Sequence, residues 1–417
     1  MPKSECWKIY LFLPTFLFHF SNLSSQKKLK ETDVTDTLPS EISILHGSDK
    51  PDLMELISAG LKLNPRRIDT AKDAGLGPFI SALPAAGYAI QSGLIGVLAI
   101  STTFYTDHTR KKSSTILSNF FYSQYHQYWT IINSLIYADK LKLNFVGDWR
   151  YYKFPTNTFG LGSQTSFTDA LPIDYSYLKF HQVVLREIMP DYFVGVGYHL
   201  DHYSDIEIES GTHATPTDFE KYGYASHSNS SGVSLDFIFD NRQNSVNPRN
   251  GTYFSLMYRN NPDFLGSDFN WQGVVIDFRK YFFFPANSEN VLAIWSYANL
   301  ILNGNPPYLE LPYTAGDSYS NTGRGYAMGR FRGKKYLYLE SEYRFEILNN
   351  GLVSGVAFTN ASSFSNWPSN QLNGVLPGGG VGLRIKINRH SDTNIALDYG
   401  FGIEGSRGFF FNVGEVF

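Results

Sequence analysis

Residues 335–347 read KYLYLESEYRFEI, and their two parities differ in chemistry. Leu337, Leu339, Tyr343, Phe345 and Ile347 share one; Tyr336, Tyr338, Glu340, Glu342, Arg344 and Glu346 share the other. Successive side chains of a β-strand point to opposite faces, so this stretch is a strand with one apolar face and one charged face. KLKLNFVGDWRYY (140–152) divides in the same way: Leu141, Leu143, Phe145, Trp149 and Tyr151 oppose Lys142, Asn144, Asp148 and Arg150. In GGVGLRIKIN (379–388), Val381, Leu383, Ile385 and Ile387 oppose Gly382, Arg384 and Lys386. In TNIALDYGFGIEG (393–405), Ile395, Leu397, Tyr399, Phe401 and Ile403 oppose Asn394, Asp398 and Glu404.

A soluble sandwich also alternates, apolar inward and polar outward. Here the polar face carries charge, Gly and Tyr as densely as a wet lumen would. The runs also reach about ten residues or more, the length that crosses a bilayer at a tilt, whereas soluble strands more often run about 5–6. In hydrocarbon every backbone N–H and C=O must be paired within the protein, so an all-strand spanning sheet has to close on itself. The expected fold is therefore all-β: a transmembrane outer-membrane barrel of about 16 antiparallel strands, with cores running from 84–90 to 408–417. Two connections are long, 204–230 and 304–334. With a periplasmic N-terminus the second, which follows the eleventh strand, is extracellular and is expected to fold into the lumen.

Composition agrees. Aromatics make up 16% of the 417 residues, with 36 Gly and only 18% charged residues, a balance that suits many short strands with aromatic rims. A net charge of −3 gives no electrostatic case for nucleic acid. Residues 1–25 read as a secretory signal: Lys3 and Lys8 precede the apolar run Ile9–Phe20, and Ser21, Ser24 and Ser25 are small residues for cleavage. The single cysteine, Cys6, falls within it, so the exported chain has no thiol for a disulfide or a metal. Residues 26–78 are polar and charged, with one short helix expected at Leu53–Leu61, and read as a flexible periplasmic segment. The barrel occupies 79–417.

The most informative motif lies in TAGDSYSNTGRGYAMGRFRGKKYLYLESEYRFEI (314–347). Arg324-Gly325-Tyr326 sits in the long loop, just before the twelfth predicted strand. In this the chain resembles the bacterial outer-membrane protein assembly factors, also called bacterial surface antigens, which place an Arg-Gly-aromatic motif there. DNRQNSVNPRNGTYFSL (240–256), with Asp240, Arg242, Asn247, Pro248 and Gly251, resembles that family's tight mid-barrel turn. FPTNTFGLG (154–162) resembles its aromatic-glycine segment, and GFFFNVGEVF (408–417) its last strand. The likeness covers essentially all of 79–417.

The loop can also be read from its chemistry. Gly325 allows close backbone approach, and Arg324 brings five fixed donors. Glu340 and Glu342, on the lumen parity, are expected acceptors that pin the loop inside. Asn360 stands where the family often has an acidic residue, and is expected as a second, weaker acceptor. In the last strand Phe409, Phe411, Val413 and Phe417 share the lipid-facing parity, with Phe417 as the expected assembly signal; Glu415 interrupts that face. Ala85, Ala86, Gly87 and Gly93 make the first strand a weakly packed partner for the last one.

No phosphate loop, nucleophile elbow or Cys/His metal spacing is present, so no catalytic residue, metal or cofactor is expected. His199 and His202, three apart on a strand, point to opposite faces. The resemblance implies insertion of outer-membrane proteins or polypeptide translocation. The expected partners are outer-membrane lipids, periplasmic or lipoprotein subunits, and unfolded outer-membrane protein clients. Residues 26–78 are too few for even one of the family's polypeptide-transport-associated domains, so a partner is expected to capture clients. The alternative is a passive pore or a structural subunit of an envelope complex.

Overall fold

The computed structural model describes residues 78–89, 92–106, 114–138, 141–208, 216–388 and 392–417. The expected signal peptide and all but the last residue of the expected 26–78 segment lie outside the described residues. The strands in chain order are β1 (Phe79–Ala89), β2 (Gly93–Phe104), β3 (Ser114–Ser123), β4 (Tyr128–Ala138), β5 (Leu143–Lys153), β6 (Thr156–Thr158), β7 (Leu171–Met189), β8 (Tyr192–Ile208) and β9 (Ser228–Asp240). They continue as β10 (Gly251–Asn261), β11 (Trp271–Phe283), β12 (Val291–Gly304), β13 (Lys335–Glu346), β14 (Val353–Phe364), β15 (Leu376–Asn388), β16 (Thr393–Phe401) and β17 (Arg407–Val413).

Each long strand pairs antiparallel with the next, from β1–β2 round to β16–β17. The three-residue β6 only lines the start of β7, opposing Thr156 to Ile173, which leaves sixteen wall strands among the described residues. β1 and β17 approach each other, but no ladder joins them among the described residues. The barrel is therefore nearly closed. Pro84, which has no N–H to give, sits inside β1, as a strand with one unpaired edge allows.

The parity reading fixes which face is which. In β13, Tyr336, Tyr338, Glu340, Glu342 and Arg344 are buried, while Leu337 and Leu339 are exposed. Val196, Leu235, Val381, Leu397 and Phe411 are likewise exposed on the outside. A water-soluble sandwich would do the reverse, because apolar area leaves water on folding. Only hydrocarbon around the wall makes this arrangement favourable.

The lumen carries packed apolar side chains as well as the charged residues expected there. Two buried, largely aromatic clusters lie on its inner face. One gathers Tyr152, Phe154, Leu171, Tyr177, Tyr203 and Tyr308; the other gathers Tyr281, Trp295, Tyr326, Tyr336, Phe364 and Phe417. Tyr177 stacks on Tyr203 at 4.3 Å and Tyr336 on Phe364 at 4.2 Å. Such aromatic pairs contribute beyond the area they bury.

Two expectations are corrected. The connection across 241–250 is not a tight turn but a ten-residue loop. Its sequence is held by local bonds: Arg242 forks onto Asp240 at 2.8 Å through two nitrogens and lies 4.5 Å over the Tyr253 ring. Gly251 has φ +110°, and a Cβ there would come within 2.9 Å of Asn241 O. The second correction concerns the chain end. Phe409, Phe411 and Val413 do face outward. The ladder then stops, Gly414 takes φ +93°, and the Glu415 side chain and Phe417 turn into the lumen and are buried there. Neither is lipid-facing, because a left-handed residue breaks the period of two on which the parity count relied.

Candidate functional site

The lumen loop, 305–334, connects β12 and β13 and starts from Gly304, at φ +79°. Arg332 near its end folds back onto the carbonyls of Tyr308, Leu309 and Leu311, at 3.2, 2.7 and 3.1 Å, so the loop closes on its own backbone. In the middle, the Asp317 carboxylate accepts the backbone N–H groups of Asn321 and Thr322, at 2.9 and 2.7 Å. Short side chains that capture their own backbone make compact loops. That turn presents the Arg324-Gly325-Tyr326 motif to the wall.

Arg324 is buried, and its guanidinium meets three carboxylates. It donates through Nη1 to Asp398 at 2.5 Å, through Nη2 to Glu342 at 2.5 Å, and through Nη2 and, at 3.5 Å, Nε to Glu340. Its plane lies 3.7 Å over the Phe358 ring. Burial opposes the charge on Arg324, but Glu340, Glu342 and Asp398 outweigh it and hold the guanidinium above its ordinary range. Gly325 is dictated by space: at φ +107°, an added Cβ would lie 2.6 Å from Phe401 O. The Gly325 carbonyl accepts from Ser406 at 2.7 Å, and the Tyr326 hydroxyl donates to Pro377 O.

Of the expected acceptors, Glu340 and Glu342 are brought to Arg324, and Asn360 is not used as one. Its amide instead donates to the Arg324 carbonyl at 2.9 Å, so it holds the backbone while the acids hold the fork. The third acceptor, Asp398 on β16, was not singled out from the sequence. Its one visible sign was its place on the lumen parity.

Two more arginines extend the cluster. Arg344 on β13 donates to Glu342 at 2.7 Å; Arg384 on β15 donates to Asp398 at 2.5 Å and to Glu415 at 2.7 Å. Three guanidiniums thus face four carboxylates, all buried, in a closed circuit from the loop to the 414–417 segment. Charges removed from water this completely persist only when paired on every side. The segment is held further. Phe417 stacks 5.1 Å from Trp295 and accepts from Arg344 at 2.8 Å, and Asn321 donates to Val416 O at 2.7 Å.

The residues of the mid-barrel motif converge on the same place. Pro248 O accepts from Arg344 at 3.1 Å, Asn247 donates to Asp392 at 3.0 Å, and Val246 O accepts the Glu415 N–H at 2.9 Å. Gly87, expected at the seam, pairs with Ile95 in the β1–β2 ladder and has open space around its Cα.

The rest of the loop is tied down separately. Arg330 donates to Thr165 O at 2.6 Å and pairs with Glu404 at 3.0 Å. Glu310 pairs with Arg259 at 3.3 Å, and Arg259 with Asp201 at 2.6 Å. A short helix, α1 (Asp218–Gly223), sets Phe219 against Tyr308 at 4.7 Å. His199 is buried toward the lumen and bonds Ser234, while His202 on the other face bonds Asn229.

The fold has solved counterparts. BamA from Haemophilus ducreyi, in a structure lacking POTRA domains 1–3, is 15% identical and superposes with a TM-score of 0.55 over 81% of this chain and 70% of that one. CdiB from Acinetobacter baumannii is 11% identical, with a TM-score of 0.53 over 82% of this chain and 60% of that one. No curated protein matches the chain by sequence. A family model described as the Omp85 superfamily domain matches residues 100–417. The chain belongs to the Omp85 superfamily and is an outer-membrane β-barrel.

Proposed function

We propose that this barrel inserts outer-membrane proteins or passes polypeptides across the outer membrane, without enzymatic chemistry and with partner subunits. The observation that carries this reading is the seam, where β1 and β17 lie near each other with no ladder between them. An unpaired strand edge is a template for another strand, and a seam with few bonds to break opens at low cost. β17 spans only Arg407–Val413, which shortens the contact further. Unfolded outer-membrane protein segments are the proposed clients, outer-membrane lipids the surroundings, and periplasmic or lipoprotein subunits the source of client capture.

The passive-pore alternative requires a continuous water path. The lumen loop and the buried aromatic clusters lie inside the wall, and the 241–250 loop meets the 414–417 segment through Val246 and Glu415. This favours a gated or laterally opening device over a steady pore.

The test is a covalent lock. In a Cys6→Ser background, cysteine pairs are scanned between Ala82–Gly87 and Gly408–Asn412 and oxidised. The reading expects locked barrels to stop supporting insertion of a client barrel into proteoliposomes containing the partners that co-purify with the protein, and reduction to restore it. Undiminished insertion by a fully locked barrel contradicts it.

A further inference from the structure

The loop motif and the 414–417 segment lie far apart in sequence, yet they share bonds and a charge cluster. Asn321 contacts the segment directly, its amide nitrogen donating to Val416 O at 2.7 Å, and its amide oxygen accepts from Asn412 at the end of β17 at 3.2 Å. The indirect link runs through charge. Arg324 and Arg344 share Glu342, Arg324 and Arg384 share Asp398, and Arg384 and Arg344 both reach Glu415.

We infer that the lumen loop and the 414–417 segment form one latch, in which the docked loop holds the segment inside the barrel and withdrawal of the loop releases it toward the wall. The two arrangements of the segment follow from the chain itself. Inside, Glu415 is held by Arg384 at 2.7 Å, with Arg344 at 3.7 Å, and Phe417 stacks on Trp295. Continued as strand, Glu415 and Phe417 would join Phe409, Phe411 and Val413 on the lipid-facing parity. A carboxylate near the membrane interface costs little and a phenylalanine there is favourable, so this second arrangement is accessible. Gly414, at φ +93°, is the hinge between them.

The loop decides between them through electrostatics. With Arg324 in place, four carboxylates share three guanidiniums. Once Arg324 leaves, the same four share Arg344 and Arg384. Expelling Glu415 is the move that lowers this excess, because Glu340, Glu342 and Asp398 are fixed on the ladders of β13 and β16. Departure of the loop also removes both Asn321 bonds. The coupling is reciprocal: freeing the segment must loosen the loop by the same free energy. The inference does not rest on the assembly reading, since it concerns two parts of the resting barrel and needs no client.

The test is thiol accessibility in the folded barrel, with Cys6→Ser removing the native thiol. Val416→Cys reports the segment, Thr314→Cys the loop, and Ser234→Cys, buried on the β9 wall, general loosening. A membrane-impermeant maleimide is the probe, and heat-modifiable migration confirms folding of each variant. Arg324→Ala is expected to raise labelling at position 416 by roughly tenfold, within the usual range of coupling between sites, with position 234 unchanged. Asn321→Ala, which keeps every charge, is expected to raise it by a smaller factor and serves if Arg324→Ala does not fold. Glu415→Gln is expected to raise labelling at 314. Unchanged labelling at 416 in both loop variants, or an equal rise at 416 and 234, overturns the latch.

Discussion

The Arg324 guanidinium and the Asp398 carboxylate meet at 2.5 Å although 74 residues separate them in the chain. The contact joins the lumen loop to β16, three strands beyond the wall strand that carries Glu340 and Glu342. An arginine held by one strand could swing with that strand. Held by β13 and β16 together, it fixes the loop against a patch of wall.

Arg324→Ala strands buried carboxylates with one guanidinium fewer. Breaking one side of a fully buried pair costs about 3–5 kcal/mol. Urea unfolding of the detergent-folded barrel, followed by heat-modifiable migration, should show a loss of that order. Arg324→Lys should recover only part of it, since an ammonium cannot fork onto three acids. A loss under about 1 kcal/mol, the scale of a solvated surface pair, would mean that the site is wet.

Gly325→Ala has a separate cause of failure. The added Cβ would lie 2.6 Å from Phe401 O, at a φ of +107°. A side chain in that backbone region costs on the order of 1–3 kcal/mol before the clash is counted. The loop should lift from the wall while the barrel persists, so trypsin should cut at the otherwise buried Arg330 or Arg332. Protection equal to that of the unaltered protein would contradict the close approach.

Phe417 and Phe411 share a sequence parity but not a destination. Phe417 is buried beside Trp295, and Phe411 is 55% exposed on the outer face. Phe417→Ala should cost about 3–5 kcal/mol, as for other buried aromatics, and Phe411→Ala clearly less. Equal losses in the urea series would return Phe417 to the lipid face.

These contrasts show what the sequence carried. The wall was legible because hydrocarbon on one side and a packed lumen on the other impose a period of two on nearly every strand. β13 runs Lys335–Glu346 against an expected 335–347. Arg324, Glu340 and Glu342 were legible because a fixed fork needs acids on the inward parity. Asp398 lay on that parity as well, but alternation gives a face and not the neighbour across the lumen. The inward turn had one sign, Glu415 at a lipid-facing position. The misfit was resolved not by the membrane interface but by Gly414, whose φ no periodicity reveals.

Conductance separates a plugged barrel from a pore. In planar bilayers the purified protein should show little steady current, and removal of residues 315–329 should produce large, persistent openings. Large steady currents with the loop intact would support the pore.

Sixteen wall strands nearly close, and among the described residues no ladder joins β1 to β17. Hydrogen exchange of the barrel in lipid nanodiscs reads this seam amide by amide, because each amide reports its own bond. Slow exchange is expected through β11, β12 and β13, and fast exchange at those β17 amides that point away from β16 and those β1 amides that point away from β2. Protection of β1 and β17 equal to that of β11–β13 would show a continuous ladder across the seam and contradict that expectation.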